Sequence, residues 1–174
     1  MSLKYRNLRH NRSISLCSES FLCGQRVGIL PKFRYGLCSM AFNGCEVIAV
    51  YNALLYLGKP ALLCDISFFM EKYKMLFGLF GCNPYALIKY PAFSETGSRA
   101  VKDFKQLENA KAFIITFWCK KRFLSHIHTV FCVQQENGDI TAYNRYSSSA
   151  EPYIYKSLSD MIGDRKIISA YIIE

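Results

Sequence analysis

FNGCEVIAVYNALLYLG, Phe42 to Gly58, places a cysteine at the start of a long apolar run. Asn43-Gly44 is a turn dipeptide. From Cys45 onward, Val47, Ile48, Tyr51, Leu54 and Leu55 recur at helical spacing. Gly58 and Pro60 stop that helix. A thiol at this position has the positive end of a helix dipole beside it, which favours the thiolate. The competing structural reading is a packed thiol, since free cysteine is among the most buried residue types. The rest of the chain has to choose between them.

The downstream half changes character. Ala112 to Cys119, AFIITFWC, is a dense β-branched and aromatic run and predicts a buried strand, with Trp118 in the core. His126 to Gln134 predicts a second strand, Gln135 to Asp139 a turn built on Asn-Gly, and Asp139 to Asn144 the returning strand. KIISAYIIE predicts a last strand. Between the two halves, Asp65 to Lys74 predicts a helix capped by Asp65 or Ser67. Asn83-Pro84 predicts a helix start, and Ser98 predicts a cap for a short helix ending near Leu107. Helices first and locally paired strands afterwards imply an α+β fold, with a helical half packed on an antiparallel sheet.

Bulk properties narrow the function classes. The chain has 174 residues, enough for one domain with a real core. Hydrophobic residues make up 51% and aromatic residues 15%, which excludes a disordered chain. The net charge of +9 is concentrated at the front: residues 1–35 hold seven Lys or Arg against Glu19 alone. Such a block is most simply a solvated segment, so residues 1–34 are expected to be partly irregular and 35–174 to form the domain. The segment lacks the interleaved aromatics of a single-strand binder, so nucleic acid is not the expected partner. The eight cysteines form no C-x-x-C pair and none has zinc-ligand spacing with a histidine, so no metal is expected. No secretory or membrane-spanning segment is legible, which points to free thiols in a reducing cytoplasm.

Two residues join Cys45 as chemistry-bearing candidates. Alternation puts His126 and His128 on one strand face. Asn144 lies on the returning strand, where it can hold an imidazole in one tautomer. Cysteine on a helix, histidine on a later strand, asparagine across a hairpin: this order resembles the papain-like cysteine peptidases, and within them the peptidases that remove bacteriocin leaders after double glycine. The matching stretches are NGCEVIAVYNAL, AFIITFW and HTVFCVQQENGDITAYN, which span most of residues 36–146. The resemblance implies Cys45 as nucleophile, His128 as base and acid, with His126 as the alternative base, and Asn144 as the residue that orients the imidazole. It implies a peptide or protein substrate, a thioester intermediate and no cofactor. The family's oxyanion glutamine, six residues before the cysteine, is replaced here by Ser39, so Asn43 or Ser39 is expected to supply that donor with the Cys45 N–H. Glu46, following the cysteine, departs from the family's usual glycine. These departures motivate an alternative, a non-catalytic module that binds peptide or protein.

Overall fold

The computed structural model describes residues 1–14, 16, 19–119 and 126–174. Five helices are present among them: α1 (Leu3–Arg12), α2 (Met40–Asn43), α3 (Cys45–Tyr56), α4 (Leu63–Met70) and α5 (Leu158–Ile162). β1 (Arg34–Tyr35) and β2 (Cys38–Ser39) form a small ribbon. The main sheet comprises β3 (Arg99–Val101), β4 (Ala112–Cys119), β5 (His126–Gln134), β6 (Ile140–Tyr143), β7 (Tyr153–Tyr155) and β8 (Lys166–Ile172). Its order is β3-β8-β4-β5-β6-β7, antiparallel at each pairing. The fold is α+β.

Both faces of the sheet are covered. On one, Ile114 and Phe131 pack with Val47, Ile48 and Leu54 of α3 and with Ile66 and Met70 of α4. On the other, Phe113, Ile115, Phe117, Val130 and Cys132 pack with Leu158 and Met161 of α5. Each fully buried Leu, Ile or Phe contributes about 1.5–3 kcal/mol. Helix α3 is buried from Cys45 through Leu54, as expected of a helix that is apolar on all sides. It ends in a Schellman arrangement, with Lys59 N–H donating to Leu54 O and Gly58 N–H to Leu55 O.

Strands β4 and β5 occupy the residues expected of them, while β6 is one residue shorter at each end, so Asn144 follows it in a turn. Four other expectations fail: the α4 caps, the helix at Asn83-Pro84, the Ser98 cap and a buried Trp118. The basic front end is not irregular throughout, because α1 is tied down by polar contacts. Asn7 donates to Gly36 O and Glu71 Oε1, and Asn11 exchanges two hydrogen bonds with the main chain of Arg34. Leu22, Leu30 and Phe33 then enter the core. Helix α4 starts at Leu63 behind Leu62, so Asp65 is a first-turn residue, and Ser67 donates to Arg34 O instead of capping. Asn83-Pro84 opens no helix, because Asn83 Oδ1 accepts from Tyr85 N in an Asx turn while Pro84 O accepts from Ser169 and Tyr171. Ser98 bonds the backbone of Glu174 at the start of an edge strand, and Asp103 caps the 3-10 turn Phe104–Asn109. Trp118 is also misplaced by the sequence reading: it is 39% exposed near the end of β4. Cys17 and the β4–β5 connection lie outside the described residues.

Candidate functional site

The first turn of α3 is set by Gly44. Its N–H donates to Met40 O, closing α2, and its own carbonyl accepts from Ile48. A Cβ here would lie 2.1 Å from Met40 Sδ and 2.6 Å from Met40 O, so only glycine lets α2 run straight into α3. Cys45 is thereby aimed at the sheet. It is 5% exposed, its thiol donates to Glu46 Oε2 at 3.2 Å, and the main-chain N–H of Thr129 on β5 points at its sulfur. Strand β6 pairs with β5 only from Phe131 onward, so the thiol meets the stretch of β5 that β6 leaves open.

Burial and a neighbouring carboxylate work against the thiolate expected from the helix dipole. Burial foremost, then the charge of Glu46, push the Cys45 thiol well above its ordinary range, and the Thr129 and Glu46 N–H groups oppose this only in part. Glu46 is fully buried, and among the described residues no cation pairs with it. Burial pushes its carboxyl up to about 7, against N–H groups from its own backbone and Cys82 and against the Cys45 thiol. Its Oε1 has no hydrogen-bond partner, and Gly81 gives it room: a Cβ there would be 2.7 Å from both carboxylate oxygens.

His128 Nε2 is 2.7 Å from the main-chain carbonyl of Asn144. A carbonyl can only accept, so Nε2 carries the proton and Nδ1 is left as the basic nitrogen. Burial first, then the charges of Arg145 and His126, lower the imidazole to about 4, while the Asn144 carbonyl acts the other way. Alternation sends His128 to the side of Val130 and Cys132, and Thr129 toward α3. Among the described residues no hydrogen bond joins the imidazole to the thiol. His126, opposite Cys119 in the β4–β5 register, lies exposed at the start of β5.

Asn144 holds the imidazole with its backbone, not with the side chain expected for it. Its φ of 60° is left-handed, a conformation asparagine tolerates better than most residues. This turn ends β6 and aims the carbonyl at His128. The side chain goes elsewhere: Oδ1 accepts from Gln25 N at 3.1 Å and Nδ2 donates to Gln25 Oε1 at 3.4 Å. Gln25 Nε2 donates to Ala41 O in α2, four residues before Cys45. A circuit therefore runs from Cys45 to Thr129, along β5 to His128, to Asn144, to Gln25, and back through α2 to Cys45.

Of the two expected oxyanion side chains, Asn43 is engaged elsewhere as placed. The Asn43 amide nitrogen donates to Tyr35 O and Gly78 O, which holds it inside the loop packing, and its Oδ1 is unpartnered. Ser39 is half-buried ahead of α2 and makes no capping hydrogen bond. The residue missed from the sequence is Gln25. It is the only glutamine before Cys45, which is the signal that marks it once a glutamine donor is sought at larger separation.

No group of three or more His, Cys, Asp or Glu side chains among the described residues is arranged to hold a metal. None of their helices is long and apolar enough to cross a membrane. The chain matches no family model, no curated protein and no solved structure among known proteins.

Proposed function

We propose that this protein is a thiol hydrolase acting on peptide or amide bonds, with the papain-like order of residues and a site closed at rest. The observation that carries the reading is the pinning of two chemistries to adjacent residues of β5. The Thr129 N–H faces the Cys45 sulfur, and next along the strand His128 is held by Nε2 on the Asn144 carbonyl, leaving Nδ1 as its base. In the proposed reaction Nδ1 takes the thiol proton, the sulfur attacks the carbonyl carbon, and the imidazolium protonates the departing amine. Water then cleaves the thioester. The Cys45 N–H and the second amide hydrogen of Gln25 are the proposed oxyanion donors, a type of contact worth roughly 2.7–4 kcal/mol per donor. Preference for a glycine-rich site rests on the family resemblance alone.

A second reading is a papain-like module that binds peptide or protein without cleaving it. The buried thiol bonded to a carboxylate, and the direction of His128 across the strand, favour it.

The test is alkylation by iodoacetamide across pH, read at each cysteine by peptide mass spectrometry, in wild type and His128→Ala. The half-exposed Cys38 is the internal control. Cys45 labelling that falls by an order of magnitude or more in the variant, with Cys38 unchanged, is the expected result, because imidazole assistance contributes typically 10²–10⁴-fold. Equal Cys45 labelling in both proteins removes the hydrolase and leaves the binding module.

A further inference from the structure

The part of the surface that the proposed chemistry leaves unused is apolar and basic at once. Residues 75–80, MLFGLF, form a loop closed by Met75 N–H to Gly81 O and by the bridge between Lys74 and Cys82. Several of its amides bond inside the loop: Gly78 and Phe80 N–H donate to Met75 O, Leu79 N–H to Leu76 O and Gly81 N–H to Gly78 O. Its side chains point out: Leu76 and Phe77 are 63% and 69% exposed, and Met75, Leu79 and Phe80 are exposed with them. Leu76 and Phe77 have left-handed φ of 44° and 58°, an unfavourable backbone for such residues that no burial of their own side chains offsets. The β1–β2 turn is tied to it, with Leu37 N–H donating to Phe77 O, and Leu37 there and Phe42 in the following α2 are exposed as well. Soluble chains seldom gather this many large apolar side chains on one protrusion without a use for them.

Leu37 also lines a pocket of about 370 Å³ between α1 and β1. Arg6, His10 and Arg34 line the same pocket, and no carboxylate does. Neither arginine has an ion-pair partner among the described residues. Burial first, then the charges of Lys72 and Lys74, lower the pKa of Lys4, while Glu71, which pairs with Lys74, acts the other way.

From this juxtaposition we infer that the loop 75–80, with Leu37 and Phe42, inserts into the interface of an anionic phospholipid bilayer while Arg6 and Arg34 take the headgroup phosphates. The shape is a protrusion and not a groove, which suits a soft apolar phase. Four of the six N–H groups of residues 75–80 are already hydrogen-bonded, which lowers the cost of entering a water-poor layer. Apolar insertion and charge attraction act at neighbouring depths of the same interface. A second copy is the poorer occupant, since it brings another +9. Nucleic acid could stack on Phe77 and Phe80 but has no use for Leu37, Met75, Leu76 and Leu79, which offer no ring face.

Co-flotation with vesicles tests this, using phosphatidylcholine alone and phosphatidylcholine with about a third phosphatidylserine. The proteins are wild type, Leu76→Asp/Phe77→Asp and Arg6→Ala/Arg34→Ala. Aspartate tolerates left-handed φ and both loop side chains are exposed, so the loop variant keeps the fold, which circular dichroism verifies. Wild type is expected to float with anionic vesicles and not with neutral ones. The loop variant is expected to stay behind. The arginine variant is expected to bind more weakly, on the order of fivefold for each charge removed, and added salt weakens wild type in the same direction. Failure of wild type to float with anionic vesicles overturns the inference. So does equal binding by all three proteins, or a self-association in sedimentation that the loop variant abolishes without any vesicle binding.

Discussion

Asn144 separates a side-chain role from a main-chain one. Its carbonyl holds His128, and its amide holds Gln25. Asn144→Gly keeps the carbonyl and accepts the φ of 60° without strain. Proton NMR titration of His128 in that variant is therefore expected to stay well below the ordinary histidine value, as burial and Arg145 impose in the parent. Asn144→Ala, forced left-handed, is expected to lose about 1–2 kcal/mol of stability. A return of His128 to an ordinary value in Asn144→Gly would restore the side-chain role that spacing alone implies. The residues of the site were legible in unequal measure. Cys45 and His128 announced themselves by type and by the strand pattern. Which atom of Asn144 faces the imidazole depends on one backbone torsion that sequence does not display. The state of the thiol depends on Glu46 being swallowed whole, and a glutamate after a helix start ordinarily reads as a solvated dipole partner.

Among elements, the hairpin of β4, β5 and β6 was the most readable part, because its burial on two faces requires dense runs of Ile, Val and Phe. Helix α1 was hidden for the converse reason. LKYRNLRHNR has little apolar periodicity, and what docks it is Asn7 and Asn11 reaching distant backbone and Glu71. The short 3-10 turns between Leu76 and Asn109 were hidden as well, being set by Asx turns and by pairing with the C-terminal strand. The α2–α3 junction yields a prediction at this scale. Alanine is a better helix former than glycine by roughly 0.5–1 kcal/mol, yet its Cβ at position 44 collides with the side chain and carbonyl of Met40, which is fully buried. Overpacking of this kind costs about 1–3 kcal/mol, so Gly44→Ala is expected to lower the urea midpoint with an unchanged slope. A stabilised Gly44→Ala would mean that the junction is looser than this geometry and that Cys45 is not held against β5 by it.

At the scale of the whole molecule, two buried groups tie stability to pH in opposite senses. Glu46 ordinarily titrates at 4.5 and is raised to about 7 in the fold. Below 4.5 it is neutral folded or unfolded and exacts nothing. As pH rises toward 7 the unfolded chain gives up the proton that the folded chain keeps, so stability falls, by about 3 kcal/mol once pH exceeds 7. His128 ordinarily titrates at 6.5 and is lowered to about 4. Above 6.5 it is neutral in both states. As pH falls toward 4 the unfolded chain takes up a proton that the folded chain refuses, and stability falls again, by less than for Glu46 because the ring is only partly buried by area. Between about 4.5 and 6.5 the two slopes offset each other, and the parent is expected to be nearly flat there. Single variants expose each limb. Glu46→Gln keeps an acceptor for the Cys82 N–H and turns amide hydrogens toward the Cys45 sulfur. It is expected to gain up to about 3 kcal/mol above pH 7 and to become more stable as pH rises from 4 to 6.5. His128→Gln is expected to show the reverse slope, losing stability from 4.5 to 7. Urea midpoints across that range decide the matter. If Glu46→Gln is no more stable than the parent at pH 8, the carboxylate has a compensating partner, and the thiol beside it is not held in its protonated form by that charge.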